Sequence, residues 1–183
     1  MKYAHVIDNQ GISPLMWAAD RGDVEIFRMI AEKIEESMHP IGLLSTIQLK
    51  RACKTMLMMA CGTPTTETVR RDPNSTDLVS LMINSGFSPY TKDDKGRTAL
   101  HHVVQSERRG IHETIMILLS SVPVNILSYL DMKVDNGMTP LHSACKTAKY
   151  VAAHSLLDIP DINTNVVCVE GGTPLHECVR RGW

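Results

Sequence analysis

Eight histidines and five cysteines are the residues of this 183-residue chain best suited to chemistry, and their spacing decides whether they perform any. A zinc site shows itself as close pairs of His or Cys, twice over. Here Cys53, Cys61, Cys145, Cys168 and Cys178 are scattered, and no His or Cys pair has that double spacing. An odd, unframed set of cysteines points to a reducing compartment, the cytosol or nucleus. His101 and His102 are sequence neighbours, which on a helix project to different faces. There is no Gly-rich phosphate loop and no nucleophile elbow; Gly171-Gly172 belongs to a turn. The pairs Arg108-Arg109 and Arg180-Arg181 are too short for a nucleic-acid patch, and a net charge of −1 supplies no attracting field. The expectation is a protein with no enzymatic activity, metal or cofactor.

What positions these residues is a phrase that recurs along the chain. It reads Ser13-Pro14-Leu15-Met16, Thr98-Ala99-Leu100-His101, Thr139-Pro140-Leu141-His142 and Thr173-Pro174-Leu175-His176, with a degraded copy at Thr55-Met56-Leu57-Met58. Asp and Asn before a Gly, as in Asp135-Asn136-Gly137, favour a tight turn. Ser or Thr then caps a helix, and Pro follows at the first helical position, where its missing N–H costs nothing. Small residues such as Ala18-Ala19 and Ala144-Cys145 admit a close neighbour. A second helix follows each full copy, with Val24, Phe27 and Ile30, Leu78, Leu81 and Met82, Ile115, Leu118 and Leu119, or Val151, Leu156 and Leu157 at helical spacing. One such pair cannot bury its apolar face alone, whereas stacked pairs form a continuous core.

Composition agrees. Aromatics are 4% of the chain and Met numbers 11, which suits an adaptable helical core over an aromatic β core. The longest apolar stretches, Met56–Cys61 and Ile115–Leu119, fall far short of the ~18 residues of a membrane span. Met1–Asp8 has no apolar run and does not read as a secretory signal.

The phrase resembles the ankyrin repeat, whose consensus is a turn, Thr-Pro-Leu-His, and two antiparallel helices. The full tetrapeptides at Thr139 and Thr173 are 34 residues apart, close to the family's usual ~33. The resemblance runs from about Asp8 to the end. It implies an all-α solenoid of four helix pairs and a C-terminal half repeat, one domain with repeats at about 8–34, 52–88, 93–121, 134–160 and 168–183. It also implies a structural role for His101, His142 and His176, hydrogen-bonding the turn. Cys61, Cys145 and Cys178 fall at small packing positions.

The other signature spacings, 41 to 43 residues, are long. The surplus reads as loop decoration in Glu35–Cys53, Gly62–Pro73, Ser106–Arg109 and Val122–Met132; it is either merely tolerated or shapes a binding site. Gly62–Ser75 looks flexible, while Leu43–Leu49 and Val124–Leu130 are apolar enough to pack as helical turns. One helix follows the fifth signature, giving the expectation of a fragment or a single-helix cap.

The family's recognition face consists of turn tips and first-helix ends. Carried over by position, it comprises Asn9, Gln10, Ile12, Asp20 and Arg21, then Asp94, Lys95, Arg97, Gln105 and Ser106. It continues with Asp135, Asn136, Met138, Lys146 and Thr147, and ends with Val169, Glu170, Arg180 and Arg181. The helix-end sites grow more basic toward the C-terminus, which favours a partner protein with an acidic segment, with no nucleic acid and no membrane insertion. The implied function is a protein-interaction scaffold. Two alternatives stay open: a regulatory portion of a larger enzyme or ion channel, similar to the ankyrin regions of TRP-type channels, and a transcription regulator similar to the NF-κB inhibitors.

Overall fold

Short helices are marginal unless their ends are satisfied and their faces buried, and the signatures at Ser13 and Thr55 do both. Ser13 Oγ accepts from the Met16 N–H at 3.2 Å, and Thr55 Oγ1 from the Met58 N–H at 3.3 Å. In the computed structural model, residues 7–9, 11–35, 55–62, 75–122, 124 and 126–182 are described. They form four helix pairs and a final single helix. The pairs are α1 (Pro14–Arg21) with α2 (Val24–Glu35), α3 (Met56–Cys61) with α4 (Ser75–Asn84), and α5 (Ala99–Gln105) with α6 (Ile111–Ser120). A short α7 (Ile126–Leu130) precedes the fourth pair, α8 (Pro140–Lys146) with α9 (Tyr150–Leu157), and α10 (Pro174–Arg180) stands last. No strand occurs among the described residues, in keeping with the all-α solenoid expected.

The first helices α1, α3, α5, α8 and α10 stack in chain order, and α2, α4, α6 and α9 form a second layer behind them. Interior repeats bury both faces of the first helix. The signature Leu is 0–3% exposed at Leu15, Leu57, Leu100 and Leu141. Its equivalent Leu175 is 68% exposed, and Val179 on the same helix is 67% exposed. Pro174 and Glu177, on the α10 face toward α8, are buried.

The surplus in Val122–Met132 is not loop decoration. Within α7, Tyr129 and Leu130 are buried, and Tyr129 donates its hydroxyl to the Pro89 carbonyl at 3.2 Å. Its ring packs edge-on against Tyr90 at 5.3 Å. The insertion packs back onto Pro89 and Tyr90, the connection between the second and third repeats, and its apolar content is the reason. The expectations for Leu43–Leu49 and for the loop 63–74 lie outside the described residues.

Arg108 is also buried. Its Nε donates to the Gly62 carbonyl at 2.7 Å and its Nη2 to the Asp20 carbonyl, with the Met59 carbonyl at 3.5 Å. These are the C-terminal ends of α3 and α1, where helix carbonyls lack intrahelical donors and carry partial negative charge. A side chain from the loop before α6 thus fastens the first three repeats together.

Candidate interaction surface

The turn tips project from one edge of the stack, and backbone bonds stitch successive tips together. The Asp135 N–H donates to the Lys95 carbonyl at 3.1 Å, and the Val169 N–H to the Asn136 carbonyl at 3.0 Å. Only glycine suits Gly137: its φ is 76°, and a Cβ would meet the Val169 nitrogen at 3.0 Å.

Beneath the third tip lies a charged network. Asp93 Oδ1 accepts from the Arg97 N–H at 2.8 Å and the Lys95 N–H at 3.0 Å. Its Oδ2 accepts from Arg97 Nε at 2.8 Å and His102 Nε2 at 3.0 Å. Burial alone would raise the Asp93 carboxyl, but these donors from His102, Arg97 and Lys95 outweigh it and hold the group well below the carboxylate range.

The signature histidines are structural, as expected. The Thr98 and Thr139 N–H groups donate to Nδ1 of His101 and His142, each at 3.2 Å, so the ring proton sits on Nε2. His142 Nε2 then donates to the Gly172 carbonyl of the next repeat at 3.2 Å. His101 Nε2 faces the corresponding carbonyl, that of Met138. Burial lowers His101 to about 4 and also lowers His142, which keeps both neutral. His176 makes the same turn bonds but is exposed.

A cleft of about 310 Å³ opens between the third and fourth tips, bounded by the ends of α5 and α8. It gathers Lys95, Arg97, Gln105, Asp135, Asn136, Met138, Lys146 and Thr147 from the sequence-derived set, with Val134 and Ser143 added. The expected surface needs five corrections. Asp20 is only 2% exposed because it sits at the packed end of α1, where its carbonyl meets Arg108. Ile12 and Ser106 are buried too, and Met138 is reduced to the cleft floor at 6% exposure. Arg180 is exposed, but Glu177 at 2.8 Å and Glu170 at 3.8 Å meet its charge, so the C-terminal end is less basic than its sequence reads.

Elsewhere, Asn9 and Asp94 are exposed, Arg21 is exposed beside Trp17 at the N-terminal end, and Arg181 is exposed. Gln10 lies outside the described residues. The sequence reading missed Asp93 and Arg108. Asp93 was legible from register, because Asp8 occupies the same place in the first repeat; Arg108 carried no local signal.

Among the described residues no His, Cys, Asp or Glu grouping has metal-binding geometry, and no helix is long and apolar enough to cross a membrane. His112 Nδ1 lies 3.0 Å from Ser155 Oγ, but that hydroxyl donates to the Val151 carbonyl at 2.7 Å, so the hydrogen goes to the helix and not to the imidazole.

Paired helices, stacked in register with projecting turn tips, define a helical-repeat solenoid. The chain belongs to the ankyrin-repeat family: residues 57–166, more than half of it, match the family model described as ankyrin repeats in three copies. The first signature and α10 fall outside that match yet join the same stack. The chain is 34% identical over 100 residues to alpha-latrotoxin-Lg1a of Latrodectus geometricus, covering 52% of this chain and 7% of that protein. It is 33% identical over 89 residues to the SMC5-SMC6 complex localization factor protein 1 of Homo sapiens, covering 48% and 8%. The target of rapamycin complex 2 subunit AVO2 of Saccharomyces cerevisiae is 29% identical over 91 residues, covering 50% and 20%. The chain therefore matches only a small part of each relative's length.

Proposed function

We propose that this chain is a non-catalytic protein-binding module, acting in the cytosol or nucleus, that takes an acidic segment of a partner protein in the cleft between its third and fourth turn tips. Ankyrin repeats generally mediate protein–protein interaction, and two of the similar proteins are named as a complex localization factor and a complex subunit. The observation that carries the reading is the cleft, into which Lys95 and Lys146 bring positive charge while Asn136 and Gln105 offer amide groups. Arg97 is largely satisfied by Asp93, so the two lysines provide the attraction. Asp135 sets a limit, favouring a partner that also brings a backbone or side-chain donor.

The test is a partner recovered by pull-down, measured at two salt concentrations. Reversing Lys95 and Lys146 to Glu together should weaken binding roughly tenfold or more at low salt, mainly by slowing association. Reversing Glu25 and Arg28, exposed on α2, should leave binding unchanged. Equal loss from both pairs would overturn the placement.

A further inference from the structure

The structure brings together two thiols that lie far apart in sequence. Cys145 on α8 and Cys178 on α10 have their Sγ atoms 2.7 Å apart, with the Cys178 thiol donating to Cys145. Both are unpaired thiols, Cys145 buried and Cys178 half-buried. We propose that this pair is a thiol modification site: a small-molecule disulfide of the glutathione type converts it into a reversible disulfide that fastens α10 to α8.

Three observations carry this. The helices are neighbours in the first-helix stack, so the sulfurs need no repacking to meet. Accessibility also orders the chemistry. Cys178 is the thiol that solvent reaches, while burial, reinforced by the hydrogen bond from Cys178, holds the Cys145 thiol above its ordinary range. Finally, α10 packs against α8 and leaves Leu175 and Val179 exposed on its far face, so a covalent link to α8 would hold a helix packed on one side.

The step balances as two exchanges. The Cys178 thiolate attacks one sulfur of the oxidant, breaking its S–S bond and releasing one small thiolate, which takes up the proton lost by Cys178. Cys145 Sγ, giving up its proton, then attacks Cys178 Sγ in the mixed disulfide; the second small thiolate leaves and takes that proton. Two protein thiols and one small disulfide become one protein disulfide and two small thiols. The attacking group is the thiolate of Cys178, the thiol that solvent reaches.

The test treats the folded chain with oxidised glutathione, followed by peptide mass mapping. The expected product has lost two hydrogens, carries one peptide linkage between Cys145 and Cys178, and returns to the dithiol with dithiothreitol. Amide exchange across Pro174–Arg180 should slow roughly tenfold in the linked form. Cys178→Ser and Cys145→Ala, each checked for native helicity by circular dichroism, should abolish both effects. A glutathione adduct on Cys178 that never closes, a linkage through Cys53, Cys61 or Cys168, or no reaction while the unfolded chain reacts would each overturn the proposal. So would a Cys145–Cys178 linkage that leaves exchange in α10 unchanged.

Discussion

Asp93 Oδ2 accepts a hydrogen bond from His102 Nε2 at 3.0 Å, and Asp8 Oδ2 accepts one from Trp17 Nε1 at the same distance and the same nine-residue separation. In both repeats a carboxylate in the turn grips the fifth signature position of the following helix, while its other oxygen accepts the N–H four residues on. Val134 and Cys168 take the Asp place in the last two repeats, so among the described residues this brace is seen in the first and third.

Asp93→Asn should cost roughly 2–4 kcal/mol at pH 7, because it weakens several hydrogen bonds to a buried carboxylate at once. The folded-state pKa of Asp93 lies below its ordinary 3.8, so its stabilisation is complete above 3.8 and is lost as pH falls further. Urea unfolding of wild type and variant should differ most near neutrality and draw together in strong acid. A gap that stays constant down to the acid limit would contradict the network.

The buried histidines give a second pH dependence in a higher window. His101 falls from 6.5 in the unfolded chain to about 4 when folded, so the unfolded state binds the proton first and stability declines as pH drops from 6.5 to 4. The loss attributable to His101 is about 3 kcal/mol across that window, and His142 acts in the same direction. His101→Gln should be less stable at pH 8 yet show a shallower decline, read from urea midpoints across the range. Identical slopes would remove His101 from the account.

The same residue type at equivalent positions should carry very different energies. Leu141→Ala should cost roughly 2–5 kcal/mol and loosen neighbouring repeats, because both of its flanks are packed. Leu175→Ala, at 68% exposure, should cost within about 0.5 kcal/mol. Thermal unfolding of the two variants decides the point, and comparable losses would show that Leu175 is covered.

Arg108→Met should cost roughly 2–4 kcal/mol by leaving the carbonyls of Gly62 and Asp20 without their donor. Arg108→Lys should not restore it, since an ammonium cannot present the forked donors that reach both helix ends. Hydrogen exchange should rise in α1 and α3 before it rises in α9. Uniform loosening throughout the stack would argue against a local staple.

The helix pairs, caps and buried signature positions were legible in the chain because they rest on local rules. A hydroxyl at the N-cap starts a helix, and apolar residues at helical spacing must face a neighbour; all five copies open on Ser or Thr, and three follow it with Pro. The candidate cleft was legible in part, since Lys95, Asn136 and Lys146 follow from register once the repeat is recognised. Tertiary structure decided the rest. Nothing local distinguishes Arg108, bonded to carbonyls far back in the chain, from exposed Arg109 beside it. Likewise Asp20 and Asp94 look alike as charged tip residues, but one lies within the stack and the other on its rim. Nor does sequence spacing reveal that Cys145 and Cys178 touch, because their meeting depends on how two helices of successive repeats rotate against each other. Periodicity settles which face of a helix seeks burial, whereas partners 33 or 88 residues away are set by the superposition of repeats, which exists only once the stack has formed.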